Sequence, residues 1–264
     1  MAARRVLITG AGSGLGLALA QRHAARGDAV ACVDLDGERA QAACASLPGS
    51  GHAAFTADVG SDASMVALRD AVLAQWGGVD VLVNNAGIAS GGTLLESSMA
   101  EWRELLEVNV LGVVRGCQAF LPGMLARKSG RILNIASFAA LAGAPSIMSY
   151  GVAKGGVLTL SEQLRAELHG SGVAVSVACP AFFQTNLLQN WRGSERMKGH
   201  AAKMMTRSAD TLDDVADKIF AASGRGQFLI LPTRGVAARW RVRRWFPSLY
   251  FRRLMAQVAP RASR

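Results

Sequence analysis

Short β-branched runs and Ala/Leu-rich stretches of helical period take turns along nearly the whole chain. Strand-like runs lie at residues 5–9, 29–34, 53–57, 79–84, 131–136, 173–178 and 227–231. Helical stretches fill the gaps near 14–26, 37–46, 62–76, 97–126, 149–169 and 211–223. The strand-like runs are apolar almost throughout, which suits strands buried on both faces of a parallel sheet. Repetition of strand, helix and strand predicts an α/β fold, a doubly wound parallel sheet in three layers. Right-handed crossovers limit the topologies open to it.

The 264 residues, half of them hydrophobic, suffice for one large domain with a sizeable core. Cys32, Cys44, Cys117 and Cys179 lie far apart with no CxxC pair, so neither a disulfide framework nor a zinc knuckle is suggested. A reducing compartment fits this usage. The chain runs from Met1 straight into its first strand, without the apolar stretch and cleavage site of a signal peptide. No uncharged apolar run reaches the ~20 residues of a membrane span. A cytoplasmic location is expected.

The net charge of +10 is unevenly placed. Residues 232–264 hold nine arginines and no acidic residue, whereas the rest of the chain holds 20 basic and 19 acidic residues. The expected division is a nearly neutral α/β body, 1–232, followed by a basic amphipathic extension, 233–264. One connection in the body breaks the strand–helix rhythm. Residues 180–208 are long for a loop and carry Phe182, Phe183, Leu187, Leu188, Trp191, Met197, Met204 and Met205. They read either as a mobile lid over a ligand or as a pair of short helices on the core.

Between the first strand and the first helix stands Thr9-Gly-Ala-Gly-Ser-Gly-Leu-Gly16. Glycines there let backbone N–H groups approach a pyrophosphate, and the helix N-terminus adds partial positive charge. Asp34 ends the second strand, where a carboxylate can accept both hydroxyls of an adenosine ribose and repel a 2′-phosphate. Leu35, Asp36 and Gly37 follow it, with no base among them, and Ser13 stands where a phosphate-binding base could. NAD is therefore expected over NADP. The alternative for Asp34 is a helix N-cap, a role for which Asp36 is better placed.

Tyr150 and Lys154 are four residues apart and share one helix face. A free tyrosine, with pKa ~10, is a poor base at neutral pH. A neighbouring ammonium and a cationic nicotinamide ring would favour phenolate and let Tyr150 exchange a proton with an alcohol or carbonyl oxygen. Ser137 follows a strand end, where a hydroxyl faces the ligand crevice of such folds. Without the other motifs it reads as a turn serine.

Taken together, these residues give the chain a resemblance. TGxxxGxG at 9–16, Asn84-Asn-Ala-Gly87, Ser137, Tyr150 and Lys154 stand in one order, and the chain resembles the single-domain form of the short-chain dehydrogenase/reductase superfamily over about residues 4–232. The resemblance implies a Rossmann-type sheet of seven parallel strands binding a nicotinamide cofactor. It implies Tyr150 as acid/base, Lys154 as the group that holds the nicotinamide ribose and tunes the tyrosine, Ser137 as the group that polarises the substrate oxygen, and Asn109 as the orderer of a relay water. It implies cofactor contacts from Gly10, Ser13, Gly14, Leu15 and Gly16 in the turn, from Asp58 and Val59 at the adenine, and from Asn85, Ala86 and Gly87. Pro180, Phe183 and Thr185 resemble the family's PGxxxT stretch, with Ala181 in place of the glycine.

His23, His52, His169 and His200 are scattered and pair with no ligand at metal spacing, so no metal is expected. The absence of a GxSxG elbow argues against a serine hydrolase, and Cys179 reads as a small strand-end hydrophobe. The expected function is an NAD(P)-dependent oxidoreductase interconverting an alcohol and a ketone or aldehyde. The alternative is a non-catalytic NAD-binding or membrane-surface scaffold. Ser137, Phe138, Met148, Tyr150, Phe182 and Leu187 are the expected substrate contacts, and their apolar members favour a lipophilic substrate. The apolar helices near 97–126 and 149–169 predict a homodimer or homotetramer. In the extension, Trp245, Phe246, Leu249, Tyr250, Leu254, Met255 and Val258 recur at helical steps among arginines, with Pro247 starting a last helix. That pattern suits a helix at an anionic membrane interface, which would place the enzyme peripherally on the inner face of a membrane. Equally it suits a face that packs on a neighbouring subunit or closes the substrate pocket, with the arginines solvated. Nothing in it resembles a base-reading module, and nucleic acid is not an expected partner.

Overall fold

The computed structural model describes residues 3–258. Its first half runs β1 (Arg5–Thr9), α1 (Gly14–Ala25), β2 (Ala29–Asp34), α2 (Gly37–Ala45), β3 (Ala53–Thr56), α3 (Asp62–Trp76), β4 (Val81–Asn84), β5 (Ala89–Gly91) and α4 (Met99–Leu106). A π-helical turn, Glu107–Leu111, joins α4 to α5 (Gly112–Ala126). Then come β6 (Gly130–Ile135), α6 (Ala139–Ala142), α7 (Met148–Glu167), β7 (Val173–Ala178), β8 (Trp191–Gly193), α8 (Glu195–Thr206), α9 (Leu212–Gly224), β9 (Leu229–Ile230), α10 (Val236–Trp245) and α11 (Pro247–Val258).

Seven strands form one parallel sheet in the order β3-β2-β1-β4-β6-β7-β9. The β-branched and aliphatic side chains of β1, β2 and β4 are buried on both faces. On one face Leu15 and Leu19 of α1 and Val215 and Ile219 of α9 pack on the sheet. On the other lie Met65 and Leu68 of α3, Val113 and Phe120 of α5, and Val157 and Leu164 of α7. The winding direction reverses between β1 and β4, which opens a crevice at the carboxyl ends of these strands.

A polar chain crosses the apolar layer beneath that crevice. Asn84 and Asn134 stand opposite each other on β4 and β6. Asn84 Nδ2 donates to Asn134 Oδ1 at 2.9 Å, Asn134 Nδ2 to Ser161 Oγ at 2.9 Å, and Ser161 Oγ to the Val157 carbonyl at 2.7 Å.

Three local expectations are corrected. The helix near 97–126 is broken by the π-turn. Met99–Ala126 is long and apolar enough to cross a bilayer, yet Val113, Phe120 and Met124 are buried in the layer beside the sheet. The last strand shrinks to Leu229–Ile230. The connection 180–208 is neither a free loop nor only a helix pair. It holds a 3-10 turn at Asn186–Asn190, β8 and α8, and β8 pairs in parallel with β5. The extension folds as two helices that break at Phe246, as Pro247 dictates by lacking an N–H. Its apolar residues are split accordingly: Leu249, Tyr250, Leu254 and Met255 are half-buried, and Trp245 and Phe246 are exposed.

Candidate active site

The glycine turn leaves β1 with Gly10 at φ +64° and Gly14 at φ +54°, a region closed to most side chains. Gly16 packs on the Gly10 carbonyl, where a Cβ would lie 2.1 Å from the oxygen. Thr9 Oγ1 accepts the N–H groups of Asn85 and Ala86 at 3.0 and 3.1 Å. Asn85 Nδ2 returns bonds to the Thr9 and Gly10 carbonyls. The turn is thus braced from the β4 end. Ser13, the N-cap of α1, makes no side-chain capping bond, and the first turn holds no acidic residue. The first N–H groups of α1 are left for an external anion, with Leu15 buried behind them. A dinucleotide's pyrophosphate fits this cradle.

Asp34 sits at the end of β2 and reaches the same turn. Its Oδ2 accepts the Gly12 N–H at 2.9 Å and its Oδ1 the Asp36 N–H at 3.1 Å. Asp36 caps α2, accepting from Glu38 and Arg39. Sequence reasoning passed over Arg39. A Cβ on Gly12 would lie 2.7 Å from Asp34 Oδ2 and 2.8 Å from Arg39 Cβ, so a cation stands beside Asp34 after all. It is held by Asp36 through an Nε–Oδ2 bond of 2.8 Å, which chiefly raises its pKa. Asp58 is exposed and receives the Gly60 N–H, while Val59 is buried against Gly112.

On the other side of the crevice, α7 begins at Met148, which puts Tyr150 in its first turn and Lys154 one turn on. Lys154 is buried; its Nζ donates to the Ile135 carbonyl at 3.0 Å and lies 6.0 Å from the Tyr150 ring centroid. Burial pushes its pKa down to about 8. The Tyr150 phenol is pushed up by burial, against a hydrogen bond with the Ser137 hydroxyl that pulls it down. In the chain alone, enclosure therefore outweighs the lowering expected from the lysine. Ser137 Oγ receives the Ala139 N–H at 3.2 Å and points its proton at the Pro180 carbonyl, 3.4 Å away. Asn109, in the π-turn, is fully buried and bonds the backbone of Ile88. A Cβ on Gly87 would lie 2.6 Å from Asn109 Oδ1 and 3.2 Å from Lys154 Nζ, which brings all three into one cluster.

The stretch after β7 closes the crevice. Thr185 Oγ1 would be 3.1 Å from a Cβ on Gly14, and Gly14, Thr185, Leu188, Met205 and Leu212 line a cavity of about 520 Å³. The Ala181 N–H is held by Thr233 at 3.0 Å, which ties the stretch to the segment after β9. The Phe183 side chain lies in the apolar layer with Leu15, leaving only its backbone for the crevice. Phe138 is buried, Leu187 half-buried, and Met148 and Phe182 exposed. Cys179 is buried at the end of β7's run, and burial pushes its thiol up to about 12. His23 is buried and bonds Asp28 at 2.8 Å, away from the crevice.

The short chain dehydrogenase family model matches residues 4–196. A 2-(R)-hydroxypropyl-CoM dehydrogenase of Xanthobacter autotrophicus is 35% identical over 232 residues, covering 84% of this chain and 91% of its own. A D-threitol dehydrogenase of Mycolicibacterium smegmatis is 40% identical over 183 residues, 69% of this chain and 70% of its own. Among solved structures, a short chain dehydrogenase/reductase from Burkholderia phymatum in complex with NAD aligns with TM-score 0.88 and 32% identity, covering 94% and 95% of the two chains. One from Sphingobium yanoikuyae in complex with NADPH aligns with TM-score 0.78 and 27% identity, over 99% and 98%. The glycine turn, Asn109, Ser137, Tyr150 and Lys154 all lie within the matched residues 4–196, and the chain belongs to the short-chain dehydrogenase/reductase family of oxidoreductases.

Proposed function

We propose that the chain interconverts an alcohol and a ketone or aldehyde, with Tyr150 as the proton-transfer group. The observation that carries this reading is the setting of Tyr150 in the first turn of α7 with the buried Lys154 ammonium one turn on, 6.0 Å from the Tyr150 ring centroid, and Ser137 just past the end of β6. A bound nicotinamide cofactor supplies or accepts the hydride. Ser137 turns its hydroxyl from Pro180 to the substrate oxygen and polarises it. Tyr150 gives its phenol proton to a forming alkoxide in the reduction; in the oxidation it takes the alcohol's proton as phenolate, having first passed its own toward Lys154. Lys154 holds the nicotinamide ribose, and its depressed pKa lets it pass a proton toward the Asn109 side. Asn109 orders the water that continues the relay. Incubation with secondary alcohols of increasing chain length and either cofactor, followed by the absorbance of reduced nicotinamide, tests the reading; no turnover with any alcohol or ketone would sink it.

NAD is the preferred cofactor in this reading, because the Asp34 carboxylate faces the ribose side of the turn and Arg39 is occupied by Asp36. Gly10, Ser13, Gly14, Leu15, Gly16, Asp58, Val59, Asn85, Ala86, Gly87, Pro180, Phe183 and Thr185 complete its site. Phe138, Met148, Phe182 and Leu187 favour a lipophilic substrate. Exposed Leu106, Leu111 and Val152 on the π-turn and helices support a homo-oligomer through α4, α5 and α7.

A specific observation also favours a cytoplasmic enzyme resting on a membrane. Trp245, Phe246 and Phe251 are 70%, 62% and 60% exposed, among exposed Arg241, Arg244, Arg252 and Arg253. Each such base contributes ~1 kcal/mol near anionic lipid. Two copies meeting through this face would oppose arginine to arginine. Co-sedimentation with phosphatidylglycerol-containing vesicles, full chain against a chain ending at Thr233, decides it: equal binding by both, or none by either, removes the membrane role.

A further inference from the structure

The segment that carries Ser137 to Tyr150 is poorly held by its own backbone. Its only helix, α6, is a single turn that ends at Gly143. A helix end leaves carbonyls without internal partners. Here two of them are taken by side chains more than a hundred residues away. The Arg243 guanidinium donates to the Leu141 carbonyl, and the Tyr250 hydroxyl donates to the Ala142 carbonyl at 2.8 Å. The Arg239 guanidinium lies over the Phe138 ring, 5.6 Å from its centroid. All three side chains, two donors and one cation over a ring, belong to the α10–α11 hairpin. No residue of α11 is fully buried, whereas α10 anchors the hairpin through Val236 and Trp240 in the layer beside the sheet.

We infer that the hairpin is a clamp on the substrate-binding segment, with Arg243 and Tyr250 as positioning residues that set the wall formed by Phe138, Leu141 and Ala142. This rests on the reading of the Ser137–Tyr150 crevice as the active site. The clamp uses the inner side of the basic extension, and Arg241, Arg244, Arg252 and Arg253 remain on its outside. A charged donor on a carbonyl is worth more than a neutral one, so Arg243 carries the larger share. Phe138 follows Ser137 directly. A wall that shifts there changes how the substrate sits while leaving the glycine turn, and thus cofactor binding, untouched.

The test compares Tyr250→Phe, Arg243→Ala, the double variant and Arg243→Lys in the full chain. The first readout is amide hydrogen exchange, which needs no activity. Exchange in residues 138–146 should quicken by about tenfold or more in the double variant, with β1 and β4 unchanged and Arg243→Lys intermediate. The second is kinetic: KM for the substrate should rise about tenfold in the double variant, with kcat within a few-fold and NADH affinity unchanged. Unaltered exchange in residues 138–146 overturns the clamp. Faster exchange with unaltered KM also overturns it as a positioning device. Faster exchange in a chain that turns over no alcohol would leave the clamp as structure and refute the active-site reading instead. Tyr250→Phe keeps the ring and loses only one hydroxyl, so it reports even if Arg243→Ala fails to fold.

Discussion

Asn109 holds both backbone groups of Ile88: its Oδ1 accepts the N–H at 3.1 Å and its Nδ2 donates to the carbonyl at 3.0 Å. The π-turn that carries Asn109 is thereby joined to the strand segment after β4. The pair is sealed by Gly87, which leaves Asn109 Oδ1 no room for a Cβ between them.

Gly87→Ala should therefore disable the enzyme without removing any reacting group. The methyl would press on Asn109 and Lys154 together, and overpacking typically costs ~1–3 kcal/mol. Asn109→Leu should be worse, because it strands two backbone groups of Ile88, at ~1–3 kcal/mol each. Urea unfolding would measure both. Wild-type stability in Gly87→Ala would contradict the packing.

Tyr150→Phe removes one hydroxyl. We expect kcat to fall by ~10²–10⁴. NADH binding, followed by fluorescence, should hardly change. Lys154→Ala should weaken both, since Lys154 is expected to touch the cofactor as well as the tyrosine. Retained turnover in Tyr150→Phe would refute the mechanism.

The buried ammonium makes stability depend on alkaline pH. Lys154 has a folded pKa of about 8, against an ordinary value of 10.5. Between these values the unfolded chain keeps a proton that the folded chain has released. Unfolding then takes up a proton, and this group's contribution to stability rises with pH by up to about 1.4 kcal/mol per unit. Below pH 8 both states are charged and the burial cost is fully felt. Lys154→Met should gain most over the wild type below pH 8, and the gap should close toward pH 10.5. A constant gap in unfolding free energy across that window would show that Lys154 does not titrate there.

Cofactor choice can be moved at one side chain. Asp34→Ser removes the charge that opposes a 2′-phosphate and leaves Arg39 beside it. Like-charge contact costs several kcal/mol, so the ratio of kcat/KM for NAD over NADP should drop by about tenfold or more. Steady-state kinetics with both cofactors measures it, and an unchanged ratio would free Asp34 of the role.

The sheet was legible because seven apolar runs of strand length alternate with helices, a signal that survives without any neighbour information. The positions of Ser137 after a strand end and of Tyr150 and Lys154 in the first turns of a helix were legible for the same reason. What was missed has no local pattern. The β5–β8 pair has three residues on each side, too short for a period, and joins segments about a hundred residues apart. A π-turn adds one residue to a helix whose apolar spacing hardly changes. Arg39 lies within the first turn of α2, and only the capped start of that helix brings it to Asp34. In the extension, Pro247 announced the last helix, but the contacts of Arg243 and Tyr250 with α6 depend on how the hairpin is laid down.

The Asn84–Asn134–Ser161 chain bears on how this molecule avoids assembling wrongly. Strands apolar on both faces are nearly interchangeable by hydrophobicity, so sliding β4 one step along β6 would still bury a greasy surface. It would also leave two amides facing hydrocarbon without a partner, at ~1–3 kcal/mol for each stranded group. The polar atoms thus act as a proofreading mark in an otherwise featureless seam, rejecting the shifted sheet before the crevice above it can form. A chain with leucine at both positions would lose that discrimination, and its errors would show as slow, heterogeneous refolding.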